Sequence, residues 1–147
     1  MKKIITLLSA TAIILFFLTS CDKYHRDRYT GTWNFVTERV YYNENHETYQ
    51  LVEVKRDTVF YTGKISCGNW ERVLVVQYTE NENVDTWIDK DGYIFSKAGD
   101  MLGKYSSGEF ESKNKMYLNL YWGNFVIFEG ETDRRYDFIK GTKKGRR

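Results

Sequence analysis

Chemistry needs a nucleophile, a base or a set of metal ligands, and this chain of 147 residues offers few of them. It has two histidines, His25 and His46, and neither has a second histidine or a cysteine at metal-ligating spacing. No metal site and no cofactor site is expected. There is no Gly-x-Ser-x-Gly, no phosphate loop and no dinucleotide glycine pattern. A Ser-His-Asp triad would have to recruit one of the same two histidines. Carboxylates are plentiful, but Glu80, Glu82, Asp85, Asp89, Asp91, Glu109, Glu111, Glu129, Glu131 and Asp133 fall mainly at turns, where a solvated acid is the ordinary outcome. A glycosidase needs two of them facing each other across a cleft. Asp89-Lys90-Asp91-Gly92 lacks the ligand sequence of an EF-hand and reads as a hairpin turn. The expectation is therefore a non-catalytic protein.

Rings are what the chain has instead: 12 Tyr, 9 Phe and 4 Trp, with no proline. That balance favours half-buried pleated strands. Most of Trp33, Trp70, Trp87 and Trp122 are expected in a core, because aromatics dominate burial in small β domains. Trp87, Tyr93 and Trp122 are the candidates to line a ligand pocket. Tyr41, Tyr42, Tyr49, Tyr117 and Tyr121 could instead serve as exposed anchors for a protein partner.

The elements that must position these rings are strands. The readings are Thr32 to Tyr42, Tyr49 to Lys55, Thr58 to Ile65, Trp70 to Thr79, Val84 to Ile88 and Tyr93 to Ser96. Lys104 to Glu111, Lys115 to Trp122, Phe125 to Glu129 and Arg134 to Lys140 follow. Polar turns separate them, and a break is expected at Arg56-Asp57. The clearest alternation places Met116, Leu118, Leu120 and Trp122 on one face and Tyr117, Asn119 and Tyr121 on the other. Short connections favour sequential antiparallel neighbours. The fold expected is all-β: an antiparallel up-and-down barrel or meander of about eight or nine strands. Closing such a sheet also removes its edges.

The first twenty residues differ from the rest. Lys2 and Lys3 precede an apolar run from Ile4 to Leu18, then Thr19, Ser20 and Cys21. A charged start, a short apolar core and small residues describe a secretory signal. Leu18-Thr19-Ser20-Cys21 resembles the lipobox of bacterial lipoproteins. The resemblance implies cleavage before Cys21 and lipid on its sulfur, which would tether the chain to a membrane, with the outer membrane favoured. Removing residues 1–20 takes away two lysines and cancels the formal charge of +2. A neutral, exported chain makes nucleic acid an unlikely partner. With Cys21 lipidated, Cys67 has no partner within the chain, and burial is expected for it. Residues 21–28 are read as a lipidated tether, 29–142 as the β domain and 143–147 as a basic tail.

Tyr29-Thr30-Gly31-Thr32-Trp33-Asn34-Phe35-Val36 resembles the first-strand signature of lipocalin-like, calycin-type barrels. The chain as a whole is similar to small lipocalin-like lipoproteins of the Bacteroidetes, with Gly108 to Lys144 contributing much of the likeness. The family resemblance implies that Trp33 closes one end of a barrel, and that a basic residue of the last strand, Arg134 or Arg135, packs across its ring. It also implies a small apolar or amphipathic ligand held in the barrel mouth. The alternative is a solid barrel acting as a non-catalytic interaction module for another envelope protein.

Overall fold

The computed structural model describes residues 24–45, 47–95, 104–122 and 134–145. Cys21, His46, Ser96, the strand expected at Phe125 to Glu129, and the end of the basic tail at Arg146 and Arg147 lie outside the described residues.

A 3-10 turn over Arg26–Tyr29 leads into eight strands. They are β1 (Gly31–Asn45), β2 (Gln50–Cys67), β3 (Val73–Gln77), β4 (Asn83–Ile88), β5 (Tyr93–Phe95), β6 (Lys104–Ser112), β7 (Lys115–Trp122) and β8 (Arg134–Lys143). Each pairs antiparallel with its neighbour in sequence, and β8 returns to β1 to close the barrel. The up-and-down barrel expected from the alternation and the short turns is the fold found.

The turns follow from local chemistry. The Asp89 side chain accepts hydrogen bonds from the backbone N–H groups of Asp91 and Tyr93, each at 2.9 Å. Gly92 then takes a φ of 94° that a side chain would resist. The Asn45 side chain does the same work between β1 and β2, accepting from Glu47 and Thr48.

Arg56-Asp57 does not break the second strand, because β2 runs through it unbroken. Asp57 pairs with Arg39 and Arg56 with Val40 across the ladder. Arg56 also meets Glu38 and Glu53 with its guanidinium, so the charge sits on the solvent side of a continuous strand. A register shift at Tyr41/Tyr42 absorbs one extra residue of β2. Trp70 is not in a strand: it lies in the turn before β3, 71% exposed. Arg26 holds that turn by donating to the carbonyl of Trp70 at 2.6 Å. Cys67 is exposed rather than buried, being the last residue of β2. The core also reaches back past Tyr29 to Tyr24, which lies in the segment expected as a tether.

Alternation turns one face of every strand inward, and the registers stack those residues in layers. Trp33 stands opposite Gly63 and Lys143, and Phe35 opposite Tyr61 and Gly141. Thr37 stands opposite Val59 and Ile139. These layers, with Leu118, Met116, Ile65, Leu74 and Ile88, form the apolar core. Gly141 makes room for it: a Cβ there would lie 2.8 Å from Met116 Cγ and 3.0 Å from the Phe35 ring.

Candidate functional site

The Trp33 end of the barrel is sealed. Trp33 is fully buried and donates its ring N–H to the Tyr29 carbonyl at 2.9 Å. Its ring centre lies 6.5 Å from that of Phe35 and 5.9 Å from that of Phe110, and Tyr29 stacks on Phe110 at 3.8 Å. The basic residue beside this end is Lys143, which donates to the Arg28 carbonyl at 2.8 Å. Gly31, with a φ of 131°, lets the lysine chain pass: a Cβ there would be 3.3 Å from Lys143 Cε.

Arg135 and Arg134 are placed elsewhere. The register pairs Trp33 with Lys143 and Tyr41 with Arg135, so Arg135 sits eight residues along β1 from the Trp33 layer. That separation is roughly 26 Å of strand. The Arg135 guanidinium instead lies over Trp122, 4.7 Å from the ring centre. Arg134 points outward and pairs with Glu44. Of the three candidate ligand-lining rings, only Trp122 faces the interior. Thr86 and Ile88 are buried, so the intervening Trp87 faces out and lies against Phe95. Ile94 is buried, so Tyr93 faces out, 55% exposed. Alternation decides both, and β4 and β5 are too short and mixed in composition to reveal which face is apolar.

What the interior holds at the Trp122 end is a charged layer. Arg39 stands opposite Asp137 on β8, and Arg135 opposite Trp122 on β7. Arg135 Nη2 donates to Asp137 Oδ2 at 2.8 Å and to Glu82 Oε1 at 2.7 Å. Arg39 donates to the other Glu82 oxygen. Tyr78 donates its hydroxyl to Asp137 Oδ2 at 3.1 Å. The expectation of a solvated acid at Glu82 is overturned. The turn between β3 and β4 folds it onto the two arginines, where the Thr79 hydroxyl accepts from the Glu82 N–H at 3.0 Å and donates to its carboxylate at 3.2 Å.

Burial and pairing compete here. Burial raises the Asp137 carboxyl above its usual range, and the charges of Arg135 and Arg39 offset only part of that. Burial also pushes Glu82 upward, but hydrogen bonds and charge from Arg135 and Arg39 outweigh it, so Glu82 titrates below its usual range. Burial and the neighbouring carboxylates push the Tyr78 hydroxyl far up, which keeps it a donor at neutral pH. Among the described residues the two arginines and two carboxylates of this cluster balance in charge, and Asp57, opposite Arg39 on β2, pairs with Lys55. Thr37 Oγ1, Arg39 Nε, Asn43 Oδ1 and Asp137 Oδ1 are buried there without a hydrogen-bond partner.

The sequence alone points to a solvated acid at Glu82 and gives Arg39, Tyr78 and Asp137 no role. A signal was available: Arg39 continues the inward parity of Trp33, Phe35 and Thr37, and Asp137 lies between Arg135 and Ile139 at period two. A surface groove of about 600 Å³ at the sealed end touches Asp27, Lys113 and Lys143. It is the weaker candidate, since Lys143 is already engaged with Arg28.

No family model matches the chain, and no curated protein or solved structure matches it either.

Proposed function

We propose that the protein is an exported, lipid-anchored carrier that holds a small apolar or amphipathic ligand at the charged end of its barrel. The first twenty residues and Cys21 support the export and the anchor. The carrying observation is the charged layer on the inner wall, Arg39, Asp137, Arg135 and Glu82 beside Trp122. Buried ion pairs of this kind add little stability over well-packed apolar residues. Recognition is a reason to keep them. An apolar wall with a few fixed polar groups is the chemistry of small-molecule sites. Beyond this layer β1 and β2 run on as a hairpin in which Tyr41 stands opposite Lys55 and Asn43 opposite Val52, with the Lys55 ammonium 5.3 Å from the Tyr41 ring centre.

The reading is of binding without catalysis, since both carboxylates of the cluster are held by arginine. Native mass spectrometry of protein purified from its own host tests it. A bound species of lipid-like mass, lost on denaturation, is the expected result. A bare chain with no extractable ligand would overturn it.

A second reading, an interaction module of the cell envelope, has one observation in its favour. Tyr136 on the outer face lies among Tyr42, Tyr121 and Phe138, with ring centres 4.8 to 6.4 Å apart. Crosslinking in the host that repeatedly recovers one envelope protein, and loses it when Tyr136 is replaced by serine, would favour this reading.

A further inference from the structure

Three atoms of the charged layer point to the kind of head group it takes. Thr37 Oγ1, Arg39 Nε and Asp137 Oδ1 lack hydrogen-bond partners. Thr37 and Asp137 are each 0% exposed, so bulk water does not satisfy them. They are also neighbours. Thr37 and Arg39 are successive inward residues of β1, and Asp137 stands opposite Arg39 on β8. Arg39 Nε and Asp137 Oδ1 form an ion pair at 3.4 Å, past good hydrogen-bonding distance, and no hydrogen bond joins them. A buried polar atom in this state is unfavourable until something bonds to it.

The complement follows from the inventory of these groups. Arg39 Nε–H only donates, an ionised Asp137 oxygen only accepts, and the Thr37 hydroxyl does either. A single group that fits all three must accept from arginine and donate to aspartate. The charge count narrows it further. Arg39 and Arg135 are already matched by Glu82 and Asp137. Lys55, opposite Tyr41, is paired with Asp57, so among the described residues a carboxylate brought here would be a further anion beside Asp137 Oδ1 with no unmatched cation facing it and no proton to give.

Resting on the reading of the barrel as a carrier, we infer that it selects an uncharged amphiphile with a hydroxyl or primary amide head, and rejects the carboxylate of equal chain length. Arg39 Nε donates to the oxygen of the head, and the O–H or N–H of the head donates to Asp137 Oδ1. Thr37 completes its shell. Along β1 the head lies beyond Tyr41 and its register partner Lys55, at the layer of Thr37 and Arg39.

Calorimetric titration of the delipidated protein at neutral pH with 1-decanol, decanamide and decanoate tests this. Decanol and decanamide are expected to bind about tenfold or more tighter than decanoate. Thr37→Val, which keeps the side-chain shape, should weaken decanol binding several-fold with an unchanged circular dichroism spectrum. Asp137→Asn, where it folds, should shift the preference towards decanoate. Decanoate binding as tightly as decanol would overturn the inference and leave the carrier reading standing. Failure of all three compounds to bind would overturn the carrier reading, and the inference with it.

Discussion

At the Trp33 end, the barrel is closed by Tyr29, Phe35 and Phe110 stacked around one tryptophan, and the only polar atom of that ring is spent on the Tyr29 carbonyl. Further along the same strand, Arg39 turns the same inward face into a layer of four charges. Both ends are buried. The first needs no partner beyond itself, whereas the second leaves Thr37, Arg39 and Asp137 atoms without bonds. The difference teaches which end is architecture and which is the candidate for recognition. Apolar burial is stabilising wherever it fits. Buried charge is tolerated only where it is paired, and rarely exceeds a good apolar replacement in stability.

Experiments on both ends would break or sharpen that contrast. Trp33→Ala should have the largest effect, lowering unfolding free energy by about 3–5 kcal/mol, as removal of a fully buried large ring does. The urea midpoint reads this directly, and a small change would mean that the sealed end is not sealed. At the charged end the pattern should split. Asp137→Ala leaves Glu82 alone against two arginines, one buried positive charge in excess, and should destabilise by a comparable amount, about 3–5 kcal/mol. Joint replacement of Arg39, Glu82, Arg135 and Asp137 by apolar residues of similar volume should be neutral, or stabilising by about 1–4 kcal/mol. A large loss in the joint variant would assign the charges to stability and remove the main support for a binding role.

Gly141→Ala probes the tight packing next to Phe35 and Met116. Overfilling it should destabilise by about 1–3 kcal/mol, measured by thermal unfolding.

The pH response separates the two carboxylates by sign. The lowered value of Glu82 means that the unfolded chain binds its proton more readily. Its contribution is therefore present above the ordinary carboxylate range and is lost as pH falls through the depressed folded value. The raised value of Asp137 means that the folded chain holds the proton more tightly. Stability from this group accordingly falls as pH rises from the ordinary carboxylate value through the raised one. Urea unfolding across the acid range should lose the first slope in Glu82→Gln and the second in Asp137→Asn. An unchanged profile in either variant would place that carboxyl outside the network. The outer wall supplies the baseline: Phe60→Ser, at a position 76% exposed, should shift stability by no more than about 0.5 kcal/mol.

How much could be read in advance varied with the kind of residue. Lys115–Trp122 declared itself because four apolar residues at period two have one reasonable burial face. Trp87 and Tyr93 did not, since short mixed strands offer no such majority, and both turned outward. Arg135 does lie over a tryptophan, but Trp122 rather than Trp33, because its neighbour depends on the register of β8 against β1 and β7.

The sequence by itself determined the strand-forming composition, the turns at Asn45 and at Asp89 to Gly92, and the antiparallel order of neighbours. Each of these follows from residues close together in the chain: side-chain alternation, Asp and Asn turn chemistry, and connections too short to cross over. Only the tertiary structure decided that Arg39, Tyr78, Glu82, Arg135 and Asp137 meet. Those residues come from β1, the β3–β4 segment and β8, and ring closure between the first strand and the last is what joins them. A charge reads as solvated when its sequence neighbours are polar, as those of Glu82 are. Its burial depends on contacts many residues away, which local pattern does not encode.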